Sequence, residues 1–271
     1  MSSLPAHSFS LASCAQQVPL NSSQPNQTAS TAWRGLLPGS SAKTLPLLNK
    51  EIIACTACPR LVQWREEVAV TKRKSYEDEK YWGKPVPSFG SDKPKLMIIG
   101  LAPGAHGANR TGRIFTGDSS GDWLYGSLHR NGIAKISTST SIKDGQELKD
   151  TRIACAVRCA PPDNKPSTEE RHTCAPFLTR EFSLATKTTN AYLALGSFAW
   201  QATISTLRQL GHEIETTKFA HGAKVILKDD DKRITIIGSY HPSQQNTFTG
   251  KLTKAMLDKV IKQAAKAAGI G

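Results

Sequence analysis

Side chains suited to ligand binding and acid–base chemistry are concentrated in one glycine-rich segment, residues 101–118. It holds four glycines, two arginines, His106, Asn109 and Asp118. Glycine lets a backbone approach a ligand closely, and the polar side chains could then contact that ligand. The spacing fits neither the Walker A loop nor the dinucleotide fingerprint. The segment therefore indicates a binding loop whose ligand class the glycines alone leave open.

Two shorter segments carry further candidate side chains. Asn164 lies in the proline-rich loop 161–166, and its amide offers both a donor and an acceptor, as reading a Watson–Crick edge requires. Asn is also common in such turns for purely structural reasons. His241 precedes Pro242 and could donate a hydrogen bond to an oxygen that gains negative charge, as in an oxyanion hole. A structural histidine is the alternative for His241.

Asp118 directly precedes a predicted helix start at Ser119–Asp122. An aspartate there is commonly an N-cap, and it could equally serve catalysis. A helix amino terminus favours the ionised carboxylate, which suits a group that orients water or stabilises positive charge. One residue can perform both roles.

Four of the six cysteines have the spacing of a metal site. Cys55 and Cys58 form a C-x2-C pair, and Cys159 and Cys174 follow far along the chain. Zinc and a [4Fe–4S] cluster both accept four thiolates, and spacing does not separate them. Cys155 is a competing ligand, although an inert buried cysteine is common in a strand.

The elements that must position these residues are visible as short apolar runs. Such runs predict buried strands, and three of them are followed by helical patterns. Alternating strands and helices predict a three-layer α/β fold with a mostly parallel central sheet flanked by helices. The predicted strands are 95–100, 152–157, 192–195 and 233–237, with a hairpin strand at 224–228. The predicted helices are 59–72, 121–130, 197–210 and 249–268.

In such sheets, ligands bind outside the carboxyl ends of the strands. The glycine-rich segment, the proline-rich loop and the segment of His241 each follow a predicted strand. We therefore expect the three segments to meet at one edge of the sheet. The segment 137–145 has no such features and is predicted to be a surface loop.

Composition separates a tail from the folded part. The first 50 residues hold ten Ser and no Asp or Glu, and so few apolar residues cannot offset the entropy of ordering. We predict a disordered tail at 1–46 and a single domain at 47–271. The whole chain of 271 residues carries a formal charge of +13, which favours a polyanionic partner. Its mean hydropathy is −0.36, without an apolar run long enough to span a membrane.

Four motifs occur in order within residues 50–262. They are Gly-Leu-Ala-Pro-Gly at 100–104, Gly-Arg-Ile-Phe-Thr-Gly-Asp at 112–118, Pro-Pro-Asp-Asn-Lys-Pro at 161–166 and His-Pro-Ser at 241–243. Framed by four cysteines, they resemble the uracil-DNA glycosylase superfamily, most closely its family 5, the type B iron–sulfur enzymes. Family 4 has Glu where this chain has Leu101. Relatives commonly have Pro where this chain has Ile114, which we expect to alter loop stiffness more than chemistry.

The resemblance implies hydrolysis of the bond between a damaged base and deoxyribose, with the nucleotide flipped out of the stack. Phe115 would then stack on the base and Asn164 would read its edge. Asp118 would orient water, and His241 would stabilise the departing ring. The base would be uracil and also hypoxanthine or xanthine, removed in the first step of base excision repair. Ala102, His106 and Asn109 would be secondary base contacts.

The same resemblance implies a duplex DNA partner. The loop from Ser243 to Thr249 would press into the minor groove, with Gln244 or Gln245 filling the vacated space. Phosphate contacts are expected from Arg110, Arg113, Lys165 and Lys251. The four cysteines Cys55, Cys58, Cys159 and Cys174 would hold a [4Fe–4S] cluster with a structural role.

Two other classes of protein remain possible from the residues themselves. A non-catalytic nucleic-acid binder would have no reason to keep Asp118, Asn164 and His241 together. A metal-dependent nucleotide hydrolase would need a His and Asp cluster at metal spacing, which the sequence lacks. We expect a monomer that works inside the cell, in the cytoplasm or nucleoid of a bacterium, or in a nucleus or organelle.

Overall fold

The computed structural model describes residues 42–229 and 232–271. Six strands form one sheet in the order β1-β3-β2-β4-β6-β5. The strands are β1 (Phe89–Gly90), β2 (Leu96–Gly100), β3 (Thr151–Cys155), β4 (Ala191–Leu195), β5 (Lys224–Asp229) and β6 (Lys232–Ser239). The four central strands pair in parallel, and the two edge strands pair antiparallel to them. The mostly parallel α/β fold is thereby confirmed.

Helices separate the strands along the chain. They are α1 (Leu45–Ile53), α2 (Pro59–Thr71), α3 (Ala108–Thr111), α4 (Ser119–Arg130), α5 (Thr168–Ala185), α6 (Ser197–Gln209), α7 (Gln244–Phe248) and α8 (Lys254–Ala268). The predicted helix 249–268 corresponds to α8, which begins only at Lys254, and the short helix α7 lies in the segment that was predicted to be a loop. Among the helices of the described residues, none is long and apolar enough to cross a membrane.

The 18-residue helix α5 follows the proline-rich loop and was not predicted. It begins with a capping box in which Ser167 and Glu170 satisfy each other's backbone N–H groups. Its interior contains Pro176 and two buried glutamates, Glu170 and Glu181, so it lacks a simple apolar stripe. Tertiary contacts rather than periodicity therefore determine this helix.

Both faces of the sheet are covered by apolar clusters. One cluster joins the sheet to α4 and α8, and a second joins its other face to α5 and α6. A third, smaller cluster lies at the carboxyl end of β3, where α1 and α2 meet α5. It contains Cys159 and Cys174, and Cys55 and Cys58 pack against it. The fold thus brings the two distant cysteine pairs to one place.

A buried ionic network ties α5 to β3. Glu181 is completely buried and lies 2.6 Å from Arg152 and 2.5 Å from Arg158. Burial alone would raise the pKa of Glu181, but Arg158 and Arg152 lower it to about 2. Ser88 also donates to this carboxylate, at 2.9 Å. The network fixes the chain on either side of the proline-rich loop.

The predicted tail 1–46 lies almost entirely outside the described residues, so its disorder stays a prediction. Helix α1 begins at Leu45, and Thr44 caps it by accepting a hydrogen bond from the Leu47 N–H. The hairpin of β5 and β6 agrees with the predicted pairing, although part of its turn lies outside the described residues.

Candidate active site and cysteine cavity

The glycine-rich segment leaves the carboxyl end of β2 and stays bonded to the segment after β3. The N–H groups of Ala156 and Val157 donate to the carbonyls of Gly100 and Leu101, both at 3.0 Å. Ala102 is partly buried and packs against the cysteine cluster. The N–H of Gly196, after β4, likewise donates to the Ser239 carbonyl at the end of β6, at 2.7 Å. The candidate loops therefore meet at one edge, as expected.

Asp118 is the N-cap of α4 and accepts a hydrogen bond from the Gly121 N–H at 2.9 Å. Its Oδ2 atom lies against two glycines of the preceding loop. A Cβ placed on Gly107 would be 1.9 Å from Oδ2, and one on Gly104 would be 3.1 Å away. Only glycine at position 107 leaves room for the carboxylate, which is therefore enclosed by the motif loop.

This enclosure corrects the expected electrostatics of Asp118. Burial raises the pKa of Asp118 above its ordinary value, and the hydrogen bond from Gly121 opposes that effect only in part. The sequence suggested that the helix start favours the ionised carboxylate, but burial has the larger effect on the pKa of Asp118. An aspartate with a raised pKa is a stronger base than a solvated one, which suits a group that polarises water.

Phe115 is buried and has a positive φ of 51°, an uncommon backbone conformation for a residue other than glycine. Its ring lies directly over the backbone at the end of β2, because a Cβ on Gly100 would be 2.9 Å from Cε2 and Cζ. The ring of His241 is 5.8 Å away, centroid to centroid, at 33°. Strained backbone held by surrounding structure is a feature of binding sites.

His241 follows β6, and its pocket determines its protonation state. Burial lowers the pKa of His241 to about 4, so the imidazole is neutral at pH 7. A neutral imidazole has one N–H donor and one acceptor nitrogen. The backbone carbonyl of His241 accepts from Asn246 Nδ2 at 2.8 Å, which links the residue to α7.

Asn164 lies at the exposed end of the proline-rich loop. Both Asp163 and Asn164 have positive φ, 52° and 56°, and the N–H of Asn164 donates to the Pro161 carbonyl at 3.2 Å. Lys165 beside it is also exposed. The structure thus holds the backbone of Asn164 in a tight turn while its side chain faces outward.

Arg110 was predicted to contact phosphate, and the structure corrects this. The side chain is buried and donates to the carbonyls of His106 and Gly117, both at 2.8 Å. It also pairs with Glu79 and stacks on the ring of Tyr76, 3.9 Å from its centroid. Arg110 therefore braces the motif loop from inside.

Arg113 was also predicted to contact phosphate, and it too is internal. It donates to Thr116 Oγ1 at 3.0 Å and Ser139 Oγ at 2.7 Å, and it pairs with Asp144. Ser139 and Asp144 belong to the predicted surface loop 137–145. That loop is therefore a packed support for the motif segment, since Ser139 is fully buried.

Asn109 and His106 were predicted base contacts. Asn109 is fully buried, and its Nδ2 donates to the Arg65 carbonyl at 3.1 Å, which joins α3 to α2, while its Oδ1 has no hydrogen-bond partner among the described residues. His106 is partly buried, and its Nδ1 lies 3.0 Å from the Tyr81 hydroxyl. Burial, together with Arg73 and Arg110, lowers the pKa of His106. Tyr81, which sequence patterns did not single out, thus orients this histidine.

The segment after His241 forms a short exposed helix, α7. Ser243 is its N-cap, with Oγ accepting from the Asn246 N–H at 3.4 Å, while Gln244 and Gln245 are exposed. Phe248 ends the helix and is 81% exposed. Sequence reasoning passed over Phe248, although a lone aromatic in a polar segment was a visible signal. Lys251 Nζ lies 5.0 Å from the ring centroid of Tyr240 close by.

The four predicted cysteines, Cys55, Cys58, Cys159 and Cys174, line one cavity, together with Arg65 and Arg158. Burial and the neighbouring thiols Cys159 and Cys55 raise the pKa of Cys58 to about 11. Cys155 belongs instead to the apolar core beside Phe115. Cys155 does not line this cavity.

The four thiols are the donor set of two kinds of metal site. Within the described part of the chain, no three or more His, Cys, Asp or Glu residues are placed so that they could hold a metal ion. Thiolates around one zinc ion must each lie about 2.3 Å from it, whereas a cluster accepts four Cys around a wider body. The four thiols that line this cavity are a donor set that the chemistry of either group accepts.

The chain has extensive similarity to known proteins. Residues 87–265 match the model of the uracil DNA glycosylase superfamily. The type-5 uracil-DNA glycosylase of Mycobacterium leprae is 50% identical over 84% of this chain and 98% of its own length. That of Mycobacterium bovis is 50% identical over 82% and 81%, and that of Thermus thermophilus 42% identical over 81% and 96%.

A type-4 uracil-DNA glycosylase from Archaeoglobus fulgidus is more distant, at 28% identity over 58% of this chain and 70% of its own length. That order of similarity agrees with Leu101, which occupies the position where family 4 carries a Glu. The matched residues include the motif loop that encloses Asp118 and the segment of His241. The chain belongs to the uracil-DNA glycosylase superfamily, in its type-5 branch.

Proposed function

We propose that this protein is a monofunctional DNA glycosylase that hydrolyses the bond between uracil and deoxyribose in DNA, the first step of base excision repair. The observation that carries the proposal is the enclosure of the Asp118 carboxylate by Gly104 and Gly107, at the sheet edge where Phe115 and His241 meet. An aspartate that served only as the N-cap of α4 would not need to be enclosed in this way.

Asp118 acts on water and on the sugar. Its raised pKa makes it a capable base, and an ionised carboxylate below the sugar stabilises the positive charge of an oxocarbenium-like transition state. The enclosing glycines keep Oδ2 in one place, so little reorganisation is needed when charge develops.

Phe115 and Asn164 bind the flipped base. The rigid ring of Phe115 provides a stacking surface, and stacking on an aromatic ring contributes about 1–3 kcal/mol per base. Asn164 faces outward with an amide that can pair with the Watson–Crick edge. Lost pairing in a mismatch lowers the cost of flipping the base.

His241 stabilises the leaving base. Because its pKa is about 4, it is neutral at pH 7 and can donate one N–H to a base carbonyl as negative charge builds there. A neutral donor does not protonate the base, so the base would depart as an anion.

The scope of substrates is wider than uracil in this proposal. Hypoxanthine and xanthine, like uracil, carry a carbonyl in place of an exocyclic amine, so the neutral donor of His241 serves each of them. Leu101 leaves the pocket without the acid that family 4 has at this position. The exposed turn of Asn164 suits a pocket that also admits purines.

The duplex is held by the loops at the same edge. Lys165 and Lys251 are the phosphate contacts that remain available, since Arg110 and Arg113 are committed within the protein. We propose Phe248 as the side chain that enters the base stack. Exposed apolar residues act as such wedges in proteins that bind the minor groove. Gln244 and Gln245 would then lie along the groove.

A [4Fe–4S] cluster held by Cys55, Cys58, Cys159 and Cys174 completes the proposal. The shared cavity and its four thiols support this assignment. When bound, the cluster supplies a covalent link between α2 and the ends of the segment that bears Asn164. Because hydrolysis of an N-glycosidic bond needs no electron transfer, the role of the cluster would be structural. The protein would act as a monomer on duplex DNA inside the cell.

The test is an excision assay on defined duplexes. The intact protein is incubated with U·G, U·A, hypoxanthine·T and undamaged T·A duplexes, and abasic sites are cleaved with alkali. We expect strand breaks on the three damaged duplexes and none on T·A. No breaks on any uracil duplex, with iron present in the protein, would contradict the proposed activity. Breaks on uracil alone would restrict the substrate scope to that base.

A further inference from the structure

Arg65 lies in the middle of α2 with its guanidinium turned into the cysteine cavity. The residue is 3% exposed, and one terminal N–H group donates to Cys159 Sγ at 3.0 Å and to the Cys55 carbonyl at 3.3 Å. It is thus in direct contact with one predicted ligand and with the backbone of another.

The positive charge of Arg65 is poorly balanced by the protein. Its ion pair is with Glu66, at 3.6 Å, and that carboxylate is 60% exposed. Its Nε has no hydrogen-bond partner among the described residues. Arg158 lines the same cavity but is paired with the buried Glu181 at 2.5 Å. The two arginines therefore differ in what neutralises them.

An unbalanced buried cation is costly, with a penalty of several kcal/mol even after relaxation. The cost is offset if the cavity holds an anionic group. Four cysteine thiolates around an iron–sulfur core give such a group, because their negative charge exceeds the positive charge of the core. Arg65 is then the counter-ion that the group requires.

We propose that Arg65 compensates the charge of the metal group held by the four cysteines and raises its reduction potential. The inference rests on the proposed cluster. A positive charge beside a thiolate ligand favours the reduced, more negative state of the cluster, and hydrogen bonds to ligand sulfurs are among the factors that set cluster potentials.

The experiment compares Arg65→Gln and Arg65→Lys with the matched control Arg60→Gln. Arg60 lies in the same helix, but its side chain is 48% exposed and is paired with Glu170 at 2.7 Å. Each full-length protein is purified without oxygen. Iron and sulfide content, visible absorbance and the midpoint potential from an EPR-monitored titration are then measured.

We expect the potential of Arg65→Gln to shift to more negative values, while Arg65→Lys and Arg60→Gln stay near the parent. An Arg65→Gln protein that cannot hold iron, beside an Arg65→Lys protein with full iron and parental potential, would equally support the charge role. Equal potentials in Arg65→Gln and Arg60→Gln at full iron content would overturn the inference and leave the cluster assignment intact. Loss of iron from both Arg65→Gln and Arg65→Lys would also overturn the inference.

A parent protein that contains zinc, or no metal, would overturn both the cluster assignment and the role of Arg65. Uracil excision is measured separately on the same preparations. The proposed activity can thus stand or fall independently of the cofactor.

Discussion

At the scale of single residues, the site depends on Asp118 and His241. Burial shifts the pKa values of these two side chains in opposite directions. Burial raises the pKa of Asp118 and lowers that of His241. Both effects follow from desolvation, which disfavours the charged form of each group. The result is an aspartate of increased base strength and a histidine that is an uncharged hydrogen-bond donor at neutral pH.

Replacing Asp118 with Asn should reduce single-turnover excision by about 10²- to 10⁴-fold, the usual contribution of a positioned acid–base group. The amide keeps an N-cap oxygen, so the helix should persist. Asp122→Asn is the control, because Asp122 lies in the same first turn but is exposed. Equal activity of the Asp118 variant and the parent would contradict the catalytic assignment.

The same pKa predicts a pH dependence. Only the ionised Asp118 is active, so the rate should fall as pH decreases through its pKa. Because burial raises that pKa, the fall should begin at a higher pH than for an ordinary aspartate. A single-turnover rate profile measures this, and an acid limb at or below the ordinary value would contradict it.

His241 should make the protein less stable in acid. The unfolded chain takes up a proton near pH 6.5, whereas the folded histidine does so only near pH 4. Stability is therefore lost as pH falls from 6.5 to 4, by up to about 3 kcal/mol. Urea unfolding of the parent and His241→Gln at pH 7 and 4.5 tests this. The parent should lose more stability, and parallel losses would refute the assignment.

At the scale of secondary structure elements, α5 and α7 depend on opposite principles. Helix α5 is fixed by buried charges, with Glu181 between Arg152 and Arg158. Helix α7 is short and exposed, and the aromatic side chain at its end is 81% exposed. The first arrangement gives rigidity, and the second leaves a surface for a partner.

Glu181→Gln should destabilise the protein by about 3–5 kcal/mol, because it leaves the buried Arg158 without a carboxylate and Arg152 with only the exposed Asp92. Asp92→Asn is the control, since Asp92 also meets Arg152, at 3.3 Å, but is 57% exposed. Chemical unfolding followed by circular dichroism measures both. A loss for Glu181→Gln no larger than for Asp92→Asn would show that the network adds little.

Phe248→Ala should weaken excision from duplex DNA while sparing excision from single strands, where no stack must be opened. Val70→Ala removes an equally exposed apolar side chain, at 81%, from α2 and serves as the control. The ratio of the two rates is the measurement. An equal loss on both substrates would argue against a wedge.

At the scale of the whole molecule, charge should govern affinity. The chain carries +13, and with Arg110 and Arg113 internal, its contacts with phosphate must come from other, exposed basic side chains. Binding to duplex DNA should weaken steeply with salt, while the preference for a uracil duplex persists. Fluorescence anisotropy at several salt concentrations tests this, and salt-independent affinity would contradict it.

The elements with strong local signals could be predicted from the sequence. Features that depend on contacts between residues far apart in the chain could not. The parallel strands were predictable because each contains a short apolar run, and Asp118 was predictable as a cap because the helix start was clear. The partners of Arg113 are Ser139 and Asp144, about 30 positions away, and no local pattern reveals them. The raised pKa of Asp118 likewise depends on burial of its carboxylate against Gly104 and Gly107.

The small cluster in which α1 and α2 meet the end of β3 and helix α5 joins segments that are about 100 residues apart in the chain. During synthesis, α1 and α2 therefore emerge long before their packing partners exist. Such non-local contacts are formed late and slow folding. In the proposed site, Cys55 and Cys58 can consequently join Cys159 and Cys174 only after residues beyond 174 have left the ribosome, so the order of translation sets when this part of the molecule can mature.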